Sequence, residues 1–214
     1  MIKNLYLIRH GETLFNQRNI IQGVINAPLV LDGVAQAIHT RKAYFESRNI
    51  HYDHVYCSPE GRCIQTTQLL TTLPYTTVID LHEMCFGKLE GCPGFLAAPV
   101  SEFATYYANY GGETLAQVQE RMNRALLEIM NKEENENVLV VAHSCANHAF
   151  MDYWAPDGKI PGPEALNYVA VLHFQFHTDT QTFALLDIFN DVYAGEDLEE
   201  AKATHQALIL DPKY

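Results

Sequence analysis

Positive charge is scarce in this chain. Across 214 residues, 14 Lys and Arg face 26 Asp and Glu, a formal net charge of −12 at pH 7. That sign excludes the general electrostatic attraction on which most polyanion and nucleic-acid binding rests. An anionic ligand must therefore be held by a few cations gathered locally, so each arginine counts. Long hydrophobic runs are missing as well. The longest late run, Val138 to Ala142, is far below transmembrane length, and the opening MIKNLYLIRH is broken by Asn4 and Arg9, so neither a span nor an export signal is expected. The five cysteines (Cys57, Cys63, Cys85, Cys92, Cys145) are odd in number and form no C-x-x-C pair. This argues against a disulfide framework or zinc cluster and suits a reducing cytosol. No H-E-x-x-H or similar ligand spacing occurs among the histidines, so no metal or other cofactor is expected.

What remains is an ordinary globular composition, 48% hydrophobic and 19% charged, enough for a sizeable core and expected to form one domain over 1–214. Residues 5–8 (LYLI) are apolar without a break and stop at a glycine turn, as a buried strand would, delivering Arg9 and His10 to its carboxyl end. Val34, Ala37, Ile38 and Phe45 recur at helical spacing and predict a helix over 32–47, followed by a strand at 54–57. A further helix runs from Ser58-Pro59 to about Leu73, and a short strand covers 76–81. Thr114 with Gln117 forms a capping box that opens a helix over 114–133. The run VLVVA at 138–142 reads as a central parallel strand that hands the chain to His143. Segments 168–176 and 182–189 read as a hairpin, and 196–208 as a closing helix. Strands alternating with helices predict a three-layer α/β/α sandwich with a mostly parallel central sheet, in which ligands sit beyond the carboxyl ends of the strands. Both His10 and His143 fall there.

The residues Leu7-Ile8-Arg9-His10-Gly11-Glu12-Thr13 resemble the signature of the histidine phosphatase, or phosphoglycerate mutase-like, superfamily. The match continues through Asn16, Gln22-Gly23, Pro28-Leu29, Ser58-Pro59 with Arg62 and Gln65-Thr66, Leu81-His82-Glu83, Phe86-Gly87, Glu90-Gly91, Gly112-Glu113-Thr114 and Val141-Ala142-His143. Their order across residues 5–170 makes coincidence very improbable. The resemblance implies a phosphatase-type member of the RHG-motif branch 1, with a phosphate pocket at the carboxyl edge of the sheet. It also implies a phosphohistidine on His10, and phosphate contacts from Asn16, Gln22 and Gly23. The acid phosphatase branch carries an aspartate just after the second histidine, whereas Ser144-Cys145 stand here. The family usually has glycine at the Ser144 position, leaving open whether its backbone N–H or its hydroxyl meets phosphate.

Physical chemistry supports the same roles. Phosphoryl transfer needs in-line positioning and positive charge around the equatorial oxygens, which Arg9, Arg62 and His143 can supply. A neutral His10, kept so by the arginines beside it, is a usable nucleophile. A carboxyl group with a raised pKa must protonate the leaving group and then activate water. Glu83, flanked by apolar Met84 and Phe86, fits that need, with Glu12, Glu90 and Glu113 as rivals. From Leu89 to Glu120 there is no Lys, Arg or His. A mutase handling a second phosphate needs additional cations, so water is the expected acceptor and a small phosphorylated metabolite the expected partner. Cofactor-dependent mutase chemistry, or a weakly active module that binds phosphorylated ligands, are the alternatives. A homodimer through the hairpin or the acidic C-terminal stretch is compatible with this composition.

Overall fold

Alternation of side chains along the first strand sets the architecture. In the computed structural model, which describes residues 1–132, 134–157, 162, 165–195 and 197–210, β1 (Ile2–Arg9) sends Leu5 and Leu7 into one apolar core and Tyr6 and Ile8 into a second core on the opposite face. A strand covered on both faces is what an unbroken apolar run encodes. The chain then makes a one-turn helix α1 (Leu14–Gln17) and α2 (Leu31–Thr40), which runs straight into a π-helical segment, Arg41–Glu46. Next come β2 (His54–Cys57), α3 (Gly61–Leu70) and β3 (Tyr75–Thr77), then a series of 3-10 turns between Ile79 and Tyr110. The remainder is α4 (Leu115–Asn131), β4 (Asn137–Ala142), α5 (Ser144–Trp154), the hairpin β5 (Val171–His177) and β6 (Thr182–Phe189), and α6 (Leu198–Leu210).

The six strands lie in the order β3-β2-β4-β1-β5-β6. The pairs β3–β2, β2–β4 and β4–β1 are parallel, and β5 and β6 add an antiparallel edge. Helices α4 and α5 cover one face, while α2, α3 and α6 cover the other, giving the expected three layers. Among the described residues no helix is long and apolar enough to cross a membrane.

Several boundaries differ from those that the sequence pattern predicts. The strand expected over 76–81 ends at Thr77. After Val78 donates to Cys57 O, the chain turns at Ile79–Leu81, which buries Leu81 and leaves Ile79 exposed. The helix expected over 32–47 is interrupted by the π-helical turn that carries Tyr44 and Phe45 into the core. The helix over 114–133 ends at Asn131, and its last expected residue lies outside the described residues, as does the first of 196–208. Helix α5 has no counterpart among the elements that the pattern predicts.

Candidate active site

Parallel register brings three loops together at one edge of the sheet. Arg9 pairs with Ala142 and Cys57 with Val141, so β1, β4 and β2 end side by side. His10 N–H donates to Ala142 O at 3.1 Å and Ser58 N–H to Val141 O at 2.9 Å, which carries the same alignment one residue past each strand. The fourth contribution, Glu83, follows the turn beyond β3. The loop after His10 packs closely on α2. A Cβ at Gly11 would stand 2.5 Å from Gly33 O, so glycine is required for this approach of two backbones.

The two strand-end imidazoles meet. The rings of His10 and His143 lie 5.2 Å apart, centroid to centroid, at an angle of 67°. Both are buried. Nδ1 of His10 lies 2.7 Å from Gly11 O, an atom that can only accept, so Nδ1 carries the proton and Nε2 keeps its lone pair. Burial foremost, then the facing Arg62, His143 and Arg9, hold this imidazole well below its ordinary 6.5. His143 is depressed for the same leading reason, with Arg62, Arg121, His82 and Arg9 adding to it. The arginines expected to keep His10 neutral do contribute, but desolvation is the larger effect.

Arg62, fully buried on the first turn of α3, is aimed by Gly23, Ile25 and His143. Nη2 donates to Gly23 O (2.7 Å), Nη1 to Ile25 O (2.9 Å), and Nε and Nη2 both reach His143 Nδ1 (3.2 and 3.0 Å). Arg9 donates from Nη1 to Leu166 O and lies over the Tyr168 ring at 4.2 Å, while its buried Nε has no partner among the described residues.

Glu83 occupies the amino terminus of α5. Its Oε1 accepts from Met84 N–H (2.8 Å) and Ala146 N–H (3.0 Å), and its Oε2 from Cys145 N–H (3.2 Å). Burial raises its pKa against the opposing pull of these N–H groups and Arg62. Two of its rivals, Glu90 and Glu113, are held in hydrogen-bond networks of their own, while Glu12, also raised by burial, has a single long contact among the described residues. Glu90 takes the N–H groups of Val24, Ile25 and Phe86, Glu113 binds Arg121 and Cys85 N–H, and Glu12 lies against Gln36.

The secondary positions fall into distinct roles. Asn16 Oδ1 accepts from Thr13 N–H, and Asn16 N–H donates to the Thr13 hydroxyl oxygen, in the capping box of α1. Gln22 Oε1 accepts from the Thr13 hydroxyl at 2.6 Å, leaving its buried Nε2 without a partner among the described residues. Gly23 contributes its carbonyl to Arg62. Ser144 is the first residue of α5, directly after His143. Two further side chains border the site: Ser58, which the sequence pattern gives only as part of the Ser58-Pro59 motif and with no role, and Glu60, which it does not single out. Both are buried against His143, whose Nε2 lies 2.8 Å from Ser58 Oγ and 3.1 Å from Glu60 Oε2. Their one sequence signal is an acidic residue between Ser58-Pro59 and Arg62. Among the described residues no cluster of three His, Cys, Asp or Glu side chains is placed to hold a metal ion.

A sequence model of the histidine phosphatase superfamily (branch 1) matches residues 5–188. The chain belongs to this family. Among its histidine phosphatase relatives, a putative phosphoserine phosphatase 2 of Hydrogenobacter thermophilus is 29% identical over 161 residues, covering 70% of this chain and 77% of the relative. An uncharacterized phosphatase of Bacillus subtilis is 30% identical over 149 residues, covering 68% and 74% respectively. The fold is shared with mycobacterial glucosyl-3-phosphoglycerate phosphatase, at a TM-score of 0.74 and 21% identity over 89% of this chain and 100% of that one. It is shared too with a phosphoserine phosphatase mutant from Entamoeba histolytica, solved with phosphoserine, at a TM-score of 0.70 and 21% identity over 88% and 96%.

Proposed function

We propose that this histidine phosphatase hydrolyses a small phosphomonoester without a metal ion, through a phosphohistidine formed at Nε2 of His10. Family membership and phosphatase-named relatives support a phosphatase-type enzyme. The single observation that carries the mechanism is the His10 tautomer. A neutral ring, pinned at Nδ1 by Gly11 O, presents an unprotonated Nε2 beside His143 and the arginines. Nε of Arg9 and Nε2 of Gln22, buried and without a partner among the described residues, are donors of the kind a phosphoryl oxygen satisfies.

In the first step Nε2 attacks phosphorus, the P–O bond to the alcohol breaks, and the proton on Glu83 passes to the departing oxygen. The second step runs through the same geometry in reverse. The Glu83 carboxylate takes a proton from water, the water oxygen attacks phosphorus, and the N–P bond breaks to return neutral His10. A raised pKa lets Glu83 serve both halves, since it must hold a proton first and accept one afterwards. Arg9 and Arg62 balance charge on the phosphoryl oxygens throughout.

Water rather than a second substrate hydroxyl is the acceptor, because residues 89–120 bring no cation to hold a bisphosphate or a carboxylate. Turnover of p-nitrophenyl phosphate in EDTA, lost in His10→Ala, tests this reading. Unchanged turnover in that variant ends the nucleophile assignment, and a requirement for a bisphosphate primer replaces hydrolysis with the mutase reaction.

A further inference from the structure

The buried carboxylate of Glu60 has no part in the mechanism above, yet it meets one of the two pocket imidazoles. Glu60 is the N-cap residue of α3, but its side chain makes no capping bond to that helix. Instead it turns inward, where Oε2 accepts from the Ser58 hydroxyl and lies 3.1 Å from His143 Nε2. The opposite ring nitrogen, Nδ1, faces the donors of Arg62, Nε at 3.2 Å and Nη2 at 3.0 Å. The Cys63 thiol, which donates to Ala142 O, stands farther from Nδ1, at 3.8 Å, and lies 3.4 Å from Nε2. A guanidinium cannot accept a hydrogen bond, so Nδ1 must be the acceptor and Nε2 must carry the proton. Nε2–H is then shared between Ser58 Oγ and Glu60 Oε2. With the Ser58 proton already directed at Glu60, both acceptors are available to it.

We propose that Glu60 is a positioning residue that, together with Ser58, locks His143 in its Nε2–H tautomer and so fixes the plane of the Arg62 guanidinium in the phosphate pocket. The alternative tautomer sets Nδ1–H against the N–H groups of Arg62, donor against donor, and leaves Nε2 facing a carboxylate with no proton between them. Either contact turns ring and guanidinium apart. Arg62 is tied to Gly23 O and Ile25 O on its far side, so any swing propagates into the loop that carries Gln22. Glu60 touches none of the reacting atoms. Its effect passes through His143 to Arg62, in the way an outer hydrogen-bond partner orients a ligating histidine.

The inference rests on the phosphatase reading for its consequence, but its direct test does not. In a sample labelled with 15N-histidine, the ring nitrogens of His143 report the tautomer without turnover. The expected result is Nε2–H in the wild-type protein, and Nδ1–H there overturns the proposal even if His10→Ala is inactive as expected. Kinetics supply the second arm. Removing the hydrogen-bond partner that orients a metal-ligating histidine costs about 10–100-fold, and by the same physics Glu60→Leu is expected to lower kcat/KM by about that much while weakening inhibition by inorganic phosphate. Glu60→Gln keeps an oxygen acceptor for Nε2–H, and is expected to retain the tautomer and activity within about threefold of wild type. Equal losses in Gln and Leu variants, or no loss in either, contradict the positioning role.

Discussion

Arg121→Ala is expected to destabilise the protein and to loosen the segment that presents Glu83. On α4, Arg121 is buried and uses its donors completely. Nε and Nη2 bind the Glu113 carboxylate at 2.8 and 3.0 Å, Nη1 binds Asp80 O and His82 O at 2.9 and 2.7 Å, and Nη2 reaches Glu83 O at 3.1 Å. Glu113 in turn accepts from Cys85 N–H at 2.8 Å, so the pair grips both sides of Glu83. Deleting the guanidinium strands a partly buried carboxylate, since the Arg121 and Glu113 side chains are only 6% and 18% exposed. Breaking such a pair costs about 3–5 kcal/mol. For a domain of this size that corresponds to a fall in Tm of about 6–20 °C, read by circular dichroism. The pH dependence has a definite sign. Burial pushes Glu113 up, but its hydrogen bonds from Arg121 and Cys85 N–H and the charge of Arg121 outweigh it, and its pKa is lowered below the ordinary 4.5. A carboxyl group with a lowered folded pKa stabilises above the unfolded value and loses that contribution as pH falls through the folded one. The gap in Tm between wild type and Arg121→Ala should therefore be full at pH 7 and narrow as pH falls through the lowered Glu113 pKa. A Tm within about 2 °C of wild type at pH 7 would refute the clamp.

Other outcomes follow from the same geometry. Glu83→Gln should lower kcat by about 10²–10⁴-fold for alkyl phosphates, whose leaving groups need a proton, and far less for phosphorylation of the enzyme by p-nitrophenyl phosphate; equal losses of that step for both would remove Glu83 from the acid role. Since His10 is held well below 6.5 and Glu83 is raised, kcat/KM should show no acid limb at the ordinary histidine value and should fall as pH rises through the Glu83 pKa; an acid limb centred near 6.5 would reverse the assignment of a neutral His10. Gln22→Leu removes a buried donor to a charged phosphoryl group, worth about 1.5–3 kcal/mol or roughly 10–150-fold in kcat/KM, and wild-type kinetics would take Gln22 out of the pocket.

Much of the fold and the site is legible in the sequence because both are written in short-range patterns. The runs LYLI and VLVVA announce strands covered on both faces, and each leads to a histidine, so the pattern alone brings His10 and His143 to one edge of the sheet. The capping box at Thr114 marks the start of α4 to the residue. What the pattern does not carry depends on partners distant in the chain. Helix α5 opens at His143 with no side-chain cap of its own, since the carboxylate at its amino terminus is Glu83, some sixty residues earlier. The role of Glu60 is invisible for the same reason, because an acidic residue at an N-cap normally caps, and only the three-dimensional approach of His143 draws it inward. Two buried acidic side chains, Glu60 and Glu83, thus stand in the same site as Arg9 and Arg62. The π-helical turn at Arg41–Glu46 reflects packing of Tyr44 and Phe45 into the core, which helical spacing alone does not encode.

The most direct test is to quench the enzyme during turnover of a 32P-labelled monoester and map the label. The expected product is a phosphoenzyme that survives alkali, decomposes in acid and carries its phosphate on His10, with none formed by His10→Ala. Label on any other residue, or turnover by wild type with no phosphoenzyme detectable under single-turnover conditions that resolve its formation, would contradict it.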